Sequence, residues 1–174
     1  KETAVDKNGK PIAGAEPVIE NEYHILPGNI YVKDPTITVE AGSADSYIRM
    51  IVTLNKYKEL IEVFGEEFTP ANYITDYDSE KWVKTNSKIN PEENTITYEF
   101  RYYKTMNGFE DEDEKDKKLE PLFTSLVVPE NLSNEDFKKI AGLEIKVIGH
   151  AIQASGLETE EKAWEAFAKQ YGEI

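Results

Sequence analysis

The sequence predicts a mainly β fold, an antiparallel jelly-roll-like β-sandwich with a few short peripheral helices, and three observations predict it. Seven stretches are rich in Val, Ile, Thr, Tyr and Phe, turn residues separate them at short intervals, and no regular helix falls between each successive pair as a parallel sheet would require. The stretches run from Val18 to Leu26, Ile30 to Val39, Ser46 to Leu54, Trp82 to Ile89, Thr95 to Tyr103, Leu122 to Val128 and Leu143 to Gln153. Turn chemistry is explicit in "DKNGKP" near the start, "LPGN" at Leu26 to Asn29, "EAGS" at Glu40 to Ser43 and "NPEEN" at Asn90 to Asn94, the last a hairpin loop. No internal repeat is visible.

Helical spacing occurs in the connections. "NKYKELIEVFG" puts Tyr57, Leu60, Ile61 and Phe64 on one face and stops at Gly65, which places it across a sandwich edge. "LSNEDFKKIAG" has Ser133 as a cap with Asp136 three residues on, a capping box, and closes at Gly142. "ETEEKAWEAFAKQYG" has Thr159 as cap, acids in its first turn, and Trp164, Phe167, Ala168 and Tyr171 in one apolar stripe. A helix over about 159–171 should dock on the sandwich by that stripe, within a single domain spanning 1–174.

At 174 residues without cysteine, the chain can bury about 70% of its unfolded surface. It has no disulfide framework, thiolate zinc site or cysteine nucleophile, and many bacterial secreted proteins share that lack. A formal charge of −14, from 34 acidic against 20 basic residues, repels nucleic acid and anionic lipid, so neither is expected as a partner. No segment approaches the roughly 20 apolar residues of a membrane span. The chain opens on Lys1-Glu2-Thr3 without a signal segment, as expected of a mature or trimmed form.

The candidate chemistry is thin. His150 lies in the apolar stretch "LEIKVIGHAIQASG", and the only other histidine is His24. There is no HExxH, so a zinc site needs folding to unite both histidines with a carboxylate; the packing reading sets His150 among Ile148 and Ile152. Ser155 follows a strand and precedes a helix, but Gln153 and Leu157 stand where a nucleophile elbow needs glycine. Many acids leave room for a chance glycosidase pair, and ten Tyr, seven Phe and two Trp offer sugar-stacking platforms, although most fall at core positions. The acidic run Phe109 to Pro121 invites a calcium reading, centred on 110–118. Aligned to an EF-hand loop from Asp111, it carries Asp116 where glycine belongs and Leu122 where glutamate belongs, so it reads as a solvated hairpin tip. No catalytic, cofactor-binding or metal-ligating residue is assigned.

Three blocks carry a resemblance: "ENEYHILPGNIYVKDPTITVEAGSADSYIRMIVTLN", "YEFRYYKT" and "LFTSLVVPENLSNEDFKKIAGLEIKVIGHAIQASGLETEEKAWEAF". They resemble clostridial exported proteins with SipW-type signal peptides, distant relatives of the TasA and camelysin (CalY) group, from about Lys1 to Phe167. The resemblance implies a secreted or cell-surface, Gram-positive biofilm matrix protein with a jelly-roll-like sandwich. It also implies fibres in which the N-terminal strand of one subunit completes the sheet of the next. Camelysin is classed as a metallopeptidase, but no zinc motif or site residue can be carried over from it.

The expectation is therefore a non-enzymatic extracellular fibre subunit that partners itself or other surface proteins. An extracellular binding module for carbohydrate or host protein comes next, and a camelysin-like metallopeptidase last. The turn "DKNGKP" follows a stub of at most five residues. A strand upstream of Lys1 is expected to have entered that turn, and its loss would expose an unpaired sheet edge.

Overall fold

The computed structural model of the chain describes residues 1–69, 74, 76, 78–106 and 116–172. Strand outweighs helix, 32% against 17%, which places the fold in the mainly β class. Its centre is a four-stranded antiparallel sheet of β3 (Ser46–Asn55), β4 (Trp82–Asn90), β5 (Thr95–Tyr102) and β8 (Ile145–Gln153), in the order β4-β5-β3-β8. β3 has the alternating sequence SYIRMIVTLN, so period two puts Ile48, Met50, Val52 and Leu54 on one face and Arg49, Ile51 and Thr53 on the other. β5 alternates in phase with it, with Ile96, Tyr98, Phe100 and Tyr102 inward and Thr97, Glu99 and Arg101 outward. The β4–β5 hairpin turns through "NPEEN", where Asn90 Oδ1 accepts from the Glu92 and Glu93 backbone N–H groups and Asn94 takes a left-handed φ of 54°.

The inner face joins one apolar core with two short antiparallel ladders. β1 (Ile30–Val32) pairs with β7 (Ser125–Val127), and β2 (Thr38–Val39) pairs with β6 (Lys117–Lys118). Tyr31, Val39, Leu119, Leu122, Phe123 and Leu126 bring these segments into the same cluster as Met50, Val52, Trp82 and Phe100. The ladders remain separate sheets and do not close on the four-stranded one. Two glycines let the layers approach. Gly9, at φ 74°, closes the "DKNGKP" turn where an added Cβ would stand 2.5 Å from Tyr31 Cδ1. At Gly149 of β8 a Cβ would stand 2.8 Å from Ile37 Cδ1.

Several expectations are corrected. The stretch Val18 to Leu26 forms no ladder: Val18 bridges Glu2 alone, the His24 N–H donates to Lys7 O, and the Leu26 N–H donates to Tyr31 Oη. Its β-branched and aromatic residues serve packing, with Tyr23 and Ile25 against the core, and its backbone is satisfied piecemeal. Ile30 to Val39 breaks into β1 and β2 around Lys33-Asp34-Pro35, since proline has no N–H to continue a ladder. Leu122 to Val128 shortens to β7.

Of the acidic run, residues 109–115, including Asp111 and Asp113, lie outside the described residues. The remainder is not a solvated tip. Lys117–Lys118 is strand, Leu119 is buried, and Asp116 Oδ1 accepts from the Ala41 N–H at 2.9 Å.

All three expected helices form among the described residues. They are α1 (Tyr57–Phe64), α2 (Asn134–Lys139) and α3 (Glu160–Tyr171). Ser133 accepts from the Asp136 N–H and Thr159 from the Lys162 N–H, as the caps required. α2 stops short of Gly142, with the buried Ile140 as its C-cap. Among the described residues no helix is long and apolar enough to cross a membrane.

The first residues of the chain are tied into the fold by short bridges. Lys1 and Thr36 exchange two hydrogen bonds of 2.8 Å, Glu2 and Val18 exchange another pair, and the Ile12 N–H donates to Ala4 O. Glu2 forms a buried ion pair with Lys33 at 2.7 Å, and Ala4 and Val5 are buried. The four-stranded sheet ends in two edge strands, β4, which is bulged between Lys84 and Asn86, and β8, which is not.

Candidate functional site

The outer face of the four-stranded sheet carries a buried polar cluster beneath α3. Register sets Arg49 of β3 between His150 of β8 and Arg101 of β5, with Glu99 opposite Ile51. Arg49 is 4% exposed, and its Nη1 donates to Glu99 Oε2 at 2.8 Å. Glu99 Oε1 accepts from Arg101 Nε and from the Thr85 hydroxyl, both at 2.7 Å. Thr85 reaches it because β4 is bulged between Lys84 and Asn86.

α3 closes the cluster because helical spacing aligns Glu160, Trp164, Phe167 and Tyr171. The Arg49 guanidinium lies 4.3 Å from the Trp164 ring centroid and 4.9 Å from that of Phe167, a two-ring cation–π cage. Glu160 Oε1 accepts from Trp164 Nε1 and stands 3.9 Å from Arg101 Nε. The predicted stripe holds at Trp164, which is buried, and thins toward the C-terminal end, where Tyr171 is 68% exposed.

Electrostatics follow from this packing. Burial pushes the Glu99 carboxyl upward, but the Thr85 hydroxyl and the two guanidinium groups outweigh it and hold its pKa below the ordinary carboxylate value. Burial lowers the Arg49 pKa against the opposing pull of Glu99. His150 is half-buried, stacks on Phe167 with centroids 4.7 Å apart, and accepts at Nδ1 from Arg49 Nε at 3.2 Å. An arginine Nε always donates, so His150 must be neutral with its proton on Nε2. Its pKa is accordingly lowered, by burial first and by the Arg49 charge second.

The two histidines take partners in different parts of the molecule: His24 is an exposed residue whose carbonyl accepts from Tyr31 Oη. No group of three metal-ligating side chains able to hold an ion occurs among the described residues. Ser155 is exposed in a turn closed by Leu157 N–H to Ala154 O.

The ring contact of His150 is with Phe167 of α3, and it is also a hydrogen-bond acceptor that orients a buried arginine. Arg49, Glu99 and Arg101 were missed. Their one sequence mark is charge at outward positions of otherwise apolar strands, "SYIRMIV" and "YEFRY".

Beside this cluster an open cleft of about 420 Å³ lies between the C-terminal turn of α3 and the outer face of β3 and β8. Ile51, Ile148, His150, Phe167 and Tyr171 are among the residues that line it. No family model, curated protein or solved structure matches this chain.

Proposed function

We propose that the chain is a non-enzymatic secreted or cell-surface protein of a Gram-positive bacterium, a jelly-roll-like matrix subunit whose copies join into fibres by exchange of N-terminal strands. One observation carries this reading: β8 is an unprotected edge. The bonds Asn55 N–H to Glu144 O and Ala154 N–H to Asp45 O fix the phase of the β3–β8 ladder. Alternate residues Ile145, Val147, Gly149, Ala151 and Gln153 therefore turn their N–H and C=O groups away from β3, and none of these groups has a partner among the described residues.

Natural edges are blunted with charge, proline, bulges or short length. β8 is nine residues of IKVIGHAIQ, unbulged, with Lys146 its one charged side chain. Such an edge accepts a strand from another copy, and head-to-tail addition propagates as a filament. The N-terminal segment suits the donor role, because short bridges rather than a continuous ladder hold Lys1–Val5 to its own subunit.

The Ala151→Pro variant tests the reading, since it removes an outward N–H and no ladder bond. The parent protein should form filaments visible by negative stain at high concentration. The variant should remain monomeric with an unchanged melting temperature. A parent that stays monomeric, or a variant that assembles equally well, removes the fibre reading and leaves the surface binding module in its place.

A further inference from the structure

We propose that the cleft at the C-terminal end of α3 binds a neutral saccharide, with one pyranose ring stacked on Tyr171. The cleft shares Ile148 and His150 with β8, but it uses their side chains on the outer face of the sheet, whereas strand addition uses the outward backbone groups of the alternate residues. About 420 Å³ is within the range of small-ligand sites, and the cleft is open on one side, as a ring within a longer chain requires. Its surface is amphipathic. Tyr171 and Ile148 are 68% and 40% exposed, large apolar groups left uncovered in the lining of the cleft, and Tyr171 is backed by Phe167 with ring centroids 4.7 Å apart. The Phe167 ring, tilted 43° to it, supports the outer ring on one side and leaves its other side free for a ligand. The apolar C–H face of a pyranose is complementary to that surface.

The polar group is equally specific. Because Arg49 Nε occupies Nδ1 of His150, the remaining proton sits on Nε2, and Nε2 has no hydrogen-bond partner among the described residues. It is a donor of fixed tautomer for a hydroxyl or ring oxygen.

Neutrality of the ligand follows from charge. Among the described residues the one cation lining the cleft, Arg49, is matched by Glu99 at 2.8 Å and enclosed by the Trp164 and Phe167 rings. The cleft also lies at the negative end of the α3 dipole, in a chain of net charge −14. An anionic sugar would meet repulsion there, whereas hydroxyl groups would not.

The test is an NMR titration of the whole protein with three probes: a neutral hexose tetrasaccharide, an N-acetylhexosamine tetrasaccharide and a uronic acid tetrasaccharide. Either neutral probe should shift the His150 ring resonances and bind saturably. Tyr171→Ala should weaken that binding by about 10-fold, as loss of an aromatic anchor does, while Tyr171→Phe keeps it within about twofold. Both variants should melt with the parent, because the side chain is exposed. Absence of saturable binding by both neutral probes at millimolar concentration overturns the proposal. Tighter binding of the uronic acid probe, or parent-like affinity in Tyr171→Ala, overturns it as well. Filament formation is scored separately, so failure of one reading leaves the other standing.

Discussion

The two faces of the four-stranded sheet are built from the same strands and solve burial in opposite ways. On the inner face Met50, Val52, Leu54, Tyr98 and Phe100 join the short ladders in one apolar cluster, in which the Tyr98 hydroxyl is a buried polar atom without a hydrogen-bond partner among the described residues. On the outer face Arg49 and Glu99 are as deeply buried, yet every contact is directional: two guanidinium groups and a hydroxyl on one carboxylate, two aromatic rings on one guanidinium, and an imidazole nitrogen on its Nε. Apolar burial is indifferent to angle and supplies most of the stability. A buried ion pair returns little net energy, but it penalises any arrangement that leaves one partner alone. The inner face thus holds the layers together, and the outer face dictates where α3 sits, and with it the shape of the cleft.

The largest test of this contrast is Phe100→Ala, which removes a fully buried ring and should cost about 4 kcal/mol of unfolding free energy in denaturant titrations. α3 should stay docked in that variant, with Trp164 fluorescence unchanged in the native baseline. Glu99→Gln comes next. It leaves Arg49 and Arg101 without their shared carboxylate and should cost roughly 3 kcal/mol. Here the Trp164 environment should change before global unfolding. A loss below about 1 kcal/mol would mean that α3 is held by its apolar stripe and that the polar cluster merely tolerates burial.

The smallest effect is a dependence on pH. Glu99 has a folded pKa below its ordinary value of 4.5, so its contribution is complete above that value and is lost as pH falls through the folded pKa. His150 also has a folded pKa below its ordinary value of 6.5. The unfolded chain then binds the proton more readily, and stability falls as pH drops from 6.5 toward the folded pKa. Melting temperature should therefore decline in two steps on acidification, a small one below pH 6.5 and a larger one below 4.5. His150→Gln should remove the first step, and Glu99→Gln should shrink the second, which Glu120, held at about 2 by its hydrogen bonds with Lys81 and Tyr102, shares. A first step that survives in His150→Gln would assign it to another group and weaken the tautomer on which the cleft depends.

Legibility differs between these regions for the same reason. The four long strands could be read within a residue or two, because SYIRMIVTLN and TITYEFRY alternate and their neighbours end in explicit turn chemistry. α3 could be read from Thr159 and its stripe. Val18 to Leu26 misled, since its residue types mark packing as readily as pairing. β6 was invisible, because two lysines carry no apolar pattern and become strand only where β2 offers a partner. Arg49 looked like any outward charge on a half-buried strand. Its burial depends on a helix more than a hundred residues later in the chain.

The sequence by itself determined what depends on neighbours along the chain: which segments alternate, where they turn, which helices start at Ser133 and Thr159, and that His150 belongs to a strand. Only the tertiary structure decided which strands are left at the sheet edges, that Glu99 is shared by two arginines, and that the exposed end of an apolar stripe lines a cleft. These depend on register and on contacts between distant segments, and local pattern carries no information about either, because a residue's periodicity is set by its own backbone while its partners are set by how the layers meet.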